Sequence, residues 1–238
     1  LNEILGNKKS FHELKALGRL RNLKPNEKAF VQRLVMDTLR NLNRCDRLLE
    51  KYLKKEPKLK VKNILRLGLT ELVTGGASHA VVNEAVSYAA SNKITRPMKG
   101  LVNAVLRKLS SHEIEDWNKY DSTSKLPEWL RRPLIDAYGK STVIEIEKIQ
   151  SLTPPIDITL KDPSKIHNLA SALEGRIIFQ ESIRLESGKQ ISVLPGFKEG
   201  DWWVQDTAAS IPVRLLENLQ GKKVLDLCAA PGAKTLQL

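Results

Sequence analysis

The hydrophobic period changes once along this chain, and that change constrains the fold more than any other feature. Through residues 1–110 the apolar side chains recur at helical spacing. Val31, Leu34, Val35, Leu39 and Leu42 form one stripe, which continues through Leu48, Leu49, Tyr52 and Leu53. Glu56-Pro57 breaks it, because a proline disfavours helix at the residue before it. Ile64, Leu65, Leu69 and Leu72 form the next stripe, ended by Gly75-Gly76; Val81, Val82, Ala85, Val86 and Ala89 form another, and Leu101, Val102, Val105, Leu106 and Leu109 the last. No stretch here alternates with period two for long, so this part is expected to be an all-α bundle. From Pro154 the pattern changes. Ile156-Asp157-Ile158-Thr159-Leu160 alternates like a half-buried strand, and Ile177–Phe179, Ile183–Leu185 and Ile191–Leu194 are further strand candidates around a helix at Ile166–Leu173. The polar segment Ser110–Lys125 reads as a linker. Leu126–Leu130 opens a helix that Gly139 stops, and Thr142–Ile149 forms a short helix after it. Gln205–Leu219 is expected to be a helix, and Val224–Leu227 a short buried strand of the parallel-sheet kind. The expected domains are 1–120, 126–204 and 205–238.

The charge follows the same division. Of the chain's net +12, residues 1–125 hold 25 Lys and Arg against 13 Asp and Glu, whereas residues 126–238 hold 14 of each. A basic module joined to a neutral one is the electrostatic footprint of nucleic-acid binding; a lysine-rich solvated surface is the alternative. Candidate phosphate contacts are Arg40, Arg44, Arg47, Lys93, Arg96, Lys99, Arg107 and Lys108, although any one of them alone also reads as a solvated charge. The two cysteines, Cys45 and Cys228, suggest no disulfide framework, and the four histidines lack metal-ligand spacing, so no metal is expected. No apolar run is long enough to span a bilayer and no signal peptide is evident, which favours a cytoplasmic protein without a membrane partner. A monomer is expected.

The segment richest in chemistry is Val224-Leu225-Asp226-Leu227 followed by Cys228-Ala229-Ala230-Pro231-Gly232-Ala233-Lys234-Thr235. Ligands of open α/β sheets bind beyond the carboxyl ends of strands, and small residues let the backbone approach them closely. A dinucleotide fingerprint requires three glycines, and only Gly232 is present. A phosphate-binding P-loop ending in Lys234-Thr235 would require glycine at Cys228 and at Ala233. A loop for S-adenosylmethionine, which carries no phosphate, tolerates this composition. A strand-loop-helix turn without ligand also remains open.

The run from Val224 to Thr235 strongly resembles the cofactor motif of the RNA 5-methylcytosine methyltransferases. Gly200-Asp201-Trp202-Trp203-Val204-Gln205-Asp206-Thr207-Ala208-Ala209-Ser210 and Leu126-Pro127-Glu128-Trp129-Leu130-Arg131-Arg132 are similar to other segments of that family. Val82-Asn83-Glu84-Ala85-Val86 and Val102-Asn103-Ala104-Val105-Leu106-Arg107 resemble a NusB-like helical domain. Together they point to the subgroup that methylates cytosine in small-subunit (16S) ribosomal RNA. The resemblance implies a NusB-like bundle, a small α+β domain and the first strand-loop-helix of a Rossmann-like methyltransferase domain. It further implies S-adenosyl-L-methionine held by Cys228, Ala229, Ala230, Pro231, Gly232, Ala233 and Lys234, with ribosomal RNA as partner. In that family a cysteine thiolate adds to C6 of a cytosine drawn out of its stack, and a second cysteine helps remove the C5 proton. Neither corresponds to Cys45 or Cys228, so the 238 residues are expected to be a fragment without activity of its own and without catalytic residues. One departure stands out: the family has Gly-Gly-Lys-Thr where this chain has Gly232-Ala233-Lys234-Thr235, and alanine is harmless there only if its φ is negative. A non-catalytic RNA-binding module of the antitermination type is the alternative function; it leaves the second half unexplained.

Overall fold

The structure is a computed structural model that describes residues 1–112, 117, 125–186, 191–216 and 219–238. It comprises two compact units, Leu1–Leu152 and Thr153–Leu238.

The first unit is helical. Helix α1 (Phe11–Ala16) starts at a capping box, in which Ser10 Oγ accepts the Glu13 N–H and the Glu13 carboxylate accepts the Ser10 N–H. Pro25 occupies the first turn of α2 (Pro25–Arg40), where its missing N–H costs nothing. Then follow α3 (Leu42–Glu50), α4 (Leu59–Val73), α5 (Ser78–Ser91) and α6 (Lys99–His112). The helical stripes converge on one core: Val61, Leu65 and Leu69 of α4 pack with Cys45, Leu48 and Leu49 of α3, and with Val102, Val105, Leu106 and Leu109 of α6. Each such buried leucine contributes about 1.5–3 kcal/mol over its exposed state. Gly68 permits the close approach of α4 and α6: a Cβ there would lie 2.8 Å from Leu106 Cδ1. The buried Arg66 is held by both Asp46 oxygens, at 2.7 and 2.6 Å, and by Asn63 Oδ1 at 2.8 Å. Helices α7 (Glu128–Tyr138) and α8 (Lys140–Gln150) form a hairpin around Gly139, whose φ of +81° suits glycine. Glu147, 1% exposed, closes this hairpin by accepting Arg131 Nε and the Leu126 N–H, each at 2.8 Å.

The second unit is built on an antiparallel four-stranded sheet of order β2-β3-β1-β4, from β1 (Ile156–Leu160), β2 (Arg176–Phe179), β3 (Ser182–Leu185) and β4 (Trp202–Val204). The period-two pattern of β1 sorts its two faces. Ile158 pairs with Ile183 and Leu160 with Trp202, and this apolar face packs with Ile166, Ala170 and Leu173 around helix α9 (Ile166–Ala172). Asp157 and Thr159 alternate with them, opposite Arg184 and Ser182. Helix α10 (Thr207–Arg214) is joined to Asp157 by Thr207, whose N–H and Oγ1 donate to Asp157 Oδ2. Arg214, at its other end, donates to Ser182 Oγ and pairs with Glu181 at 2.9 Å.

Three local expectations change, and one strand appears where none was expected. Ile191–Leu194 is a 3-10 turn rather than a strand: Ile191 and Leu194, three residues apart, both turn onto the sheet core, and Pro195-Gly196 follows. The helix expected over Gln205–Leu219 is shorter, because the Asp206 side chain caps it from outside and it ends at Arg214. Trp202–Val204, which has no alternation long enough to read, is a strand by virtue of its pairing with β1. Val224–Leu227, expected as a strand, joins no ladder, and Leu225 and Leu227 are 79% and 86% exposed. A parallel strand is stabilised by neighbours on both edges and cover on both faces, and no described residues supply either here. After the loop, Thr235–Gln237 is a single 3-10 turn. Most of the linker expected at Ser110–Lys125 lies outside the described residues; α6 extends into its start, to His112.

Candidate functional site

Asp226 organises the small-residue loop. Its Oδ1 accepts the Cys228 N–H at 3.0 Å, and its Oδ2 accepts Thr235 Oγ1 at 2.7 Å, so one carboxylate joins the two ends of the loop. Gly232, with φ +110°, is the loop residue that requires glycine. Ala233 is not among the described residues with positive φ, so the departure from Gly-Gly introduces no left-handed alanine. Among the described residues no acceptor takes the N–H groups of Ala229, Ala230, Gly232 or Ala233. Cys228–Pro231 are exposed, and Gly232 and Ala233 are half-buried. Lys234 is exposed.

The loop is linked back to the sheet. Gln205, 4% exposed, accepts Trp203 Nε1 at 2.8 Å and donates to Gln237 Oε1 at 2.6 Å; Gln237 follows the loop directly. Asp206 Oδ1 accepts the N–H groups of Ala208 and Ala209 and caps α10, the role its position before a helix suggests. The Arg184 guanidinium holds the Asp157 carboxyl below its usual range, as do the Thr207 bonds, against the opposing effect of burial. Asp157 and Arg184 were not legible as a pair in the sequence, where 27 residues separate them; only the placement of Asp157 among apolar residues hinted at a role.

The basic candidates fall into groups on the first unit. Arg40 ends α2 and pairs with Asp37 at 3.0 Å. Arg44 donates from Nε to the Trp117 carbonyl at 2.7 Å and stacks over the Trp117 ring at 4.3 Å, so this cation is committed within the fold. Arg47 is exposed on α3. Lys93, Arg96 and Lys99 lie exposed between α5 and the start of α6, with Arg96 Nε donating to the Ala90 carbonyl at 2.9 Å. Arg107 and Lys108 are exposed on α6.

The two thiols differ sharply. Cys45 is fully buried in the helical core; burial pushes its pKa up to about 11, against a weaker opposing effect of the Thr70 hydroxyl 3.6 Å away. It remains a thiol at neutral pH and is no nucleophile. Cys228 is exposed in the loop. Among the described residues no cluster of His, Cys, Asp and Glu is arranged to hold a metal ion, and no helix is long and apolar enough to cross a membrane.

The helical bundle with these packed stripes is the part of the chain that a known family matches: residues 2–111 match the NusB family. Over about nine tenths of its length the chain is similar to the proteins called ribosomal RNA small subunit methyltransferase B. It is 31% identical to that of Proteus mirabilis over 233 residues, covering 92% of this chain and 55% of the relative. It is 32% identical to that of Escherichia fergusonii over 227 residues, covering 89% and 52%. It is 30% identical to that of Klebsiella pneumoniae, again covering 89% and 52%. The chain thus spans about half the length of the curated relatives it matches. The crystal structure of PH0851 shares its fold, with a TM-score of 0.62 at 14% identity over 98% of this chain and 57% of that one.

Proposed function

We propose that this chain is the RNA-binding and cofactor-loop portion of an S-adenosylmethionine-dependent enzyme that methylates cytosine C5 in small-subunit ribosomal RNA. The observation that carries the reading is an order of parts: a NusB-family bundle, then a sheet unit ending in a small-residue loop closed by Asp226. Its similarity along nine tenths of the chain to ribosomal RNA small subunit methyltransferase B supports the same reading. An antitermination-type module alone would leave the sheet unit and its loop without a role.

In this reading the bundle, the α+β segment and the loop segment act as three parts, 1–120, 126–204 and 205–238, with the first holding RNA through its excess of cations. The N–H groups of Ala229, Ala230, Gly232 and Ala233 would hold S-adenosylmethionine, which supplies the methyl group when bound. Cys228 and Lys234 flank them, Pro231 shapes the turn, and Gln205 steadies the segment through Gln237. The buried Cys45 contributes packing and not chemistry. The protein acts in the cytoplasm as a monomer and uses no metal.

Two measurements test this. The 238 residues are expected to bind ribosomal RNA with an affinity that falls steeply with salt, and to transfer no label from methyl-labelled S-adenosylmethionine. The same residues within a chain of the relatives' full length are expected to label cytosine C5 of unmodified small-subunit RNA. Salt-independent binding, or no C5 label from the longer chain, overturns the reading.

A further inference from the structure

A cavity of about 310 Å³ lies in the first unit, apart from the loop. Three stretches build it: the last turns of α2, the residues just before α7, and the end of α8. Its apolar walls are Met36 and Leu39 on one side and Leu126 and Pro127 on another. Cations stand at its rim, Arg40 from α2 and Lys125 ahead of the hairpin, and Gln150 supplies a side-chain amide.

The cavity is held open by a buried ion pair. Glu147 accepts the Leu126 N–H at 2.8 Å while Arg131 binds both of its oxygens, at 2.8 and 3.3 Å. The wall formed by Leu126 and Pro127 therefore cannot collapse onto α2 without breaking charge-assisted bonds to a carboxylate that is 1% exposed. Ser151 Oγ donates to the Glu147 carbonyl at 3.0 Å and fixes the end of α8 in the same way. A site formed before its ligand arrives loses less on binding than one that must be ordered.

We propose that this cavity takes one unstacked nucleotide of single-stranded RNA. The inference rests on the RNA-binding reading above and names a subsite within it. The side chains of Met36, Leu39, Leu126 and Pro127 offer apolar contact to the face of any base, whatever its identity. The amide of Gln150 offers both a donor and an acceptor to a base edge. Arg40 uses one nitrogen on Asp37, leaving other guanidinium N–H groups for a phosphate at the rim beside Lys125. Charge complementarity selects the occupant: residues 1–152 hold 29 Lys and Arg against 17 Asp and Glu, so the unit that contains the cavity carries all of the chain's +12. The volume, at the low end for ligand sites, suits a single nucleotide and excludes a helix.

The test uses the 238-residue chain with fluorescent single-stranded RNA carrying 4-thiouridine. Irradiation is expected to crosslink RNA to the peptides containing Met36 or Leu126. Met36→Trp, which fills the cavity, and Gln150→Ala, an exposed change that leaves the fold intact, are each expected to weaken binding about fivefold or more without changing its salt slope. Arg40→Gln is expected to reduce that slope by about one. RNA that binds salt-dependently, crosslinks elsewhere and is indifferent to both cavity variants overturns the subsite and leaves the RNA reading standing. A wild-type chain that binds no RNA overturns both.

Discussion

Arg184 grips Asp157 with two parallel bonds, Nε to Oδ1 at 2.7 Å and Nη2 to Oδ2 at 2.9 Å, across the β1–β3 ladder. Because Asp157 also accepts the N–H and hydroxyl of Thr207, a single buried carboxylate joins two strands to the start of α10. Asp157→Asn is expected to lower the stability of the second unit by about 1–3 kcal/mol, toward the lower end because Arg184 stays partly hydrated. Urea titration followed by tryptophan emission, to which Trp202 and Trp203 contribute, measures it. The pH dependence has a definite sign. The folded-state pKa is depressed, so the contribution is present above the ordinary aspartate value near 3.9 and is lost as pH falls through the lower folded value. In Asp157→Asn the acid limb of the stability curve should flatten.

Glu147 has the corresponding role in the helical hairpin. Its removal leaves the Leu126 N–H without an acceptor and Arg131, which is partly hydrated, without its partner, so Glu147→Ala is expected to cost about 1–2 kcal/mol. Hydrogen exchange locates the effect: the Leu126 amide should lose protection while core amides of α4 keep theirs.

The thiols provide a test that needs no substitution. A thiol reagent at neutral pH should titrate one cysteine, Cys228, in the native chain and two in denaturant. With Cys45 pushed up to about 11, the unfolded chain ionises this thiol first. Its contribution to stability is therefore complete below pH 9 and declines as pH rises toward 11, an alkaline limb that Cys45→Ala should lack.

Gly68 is a packing requirement. An added Cβ would press on Leu106, which is itself fully buried, so Gly68→Ala is expected to destabilise the first unit by about 1–3 kcal/mol despite alanine's better helix propensity. Thermal melting measured by circular dichroism checks it, and Gly100→Ala, in α6 where a Cβ meets nothing within 4 Å, is the control, expected to raise stability slightly.

What could be read from the sequence was whatever local spacing encodes. The stripes through Leu65, Leu69, Leu106 and Leu109 mark helices because one face of each must be dry, and Gly139 and Gly75 mark their ends because the chain there takes positive φ. The loop at Cys228–Lys234 was legible by composition, because its run of small residues is continuous in the sequence. Tertiary structure decided whatever depends on a distant partner. Val224–Leu227 has a strand's composition, yet a strand is a pairing rather than a composition, and no ladder forms there; Trp202–Val204 has little pattern but pairs with β1. The same reason governs the polar links. Asp157 with Arg184, Glu147 with Arg131, and the cavity between Met36 and Leu126 each join residues that only folding brings within a few ångströms, where burial turns an ordinary charge into a structural link.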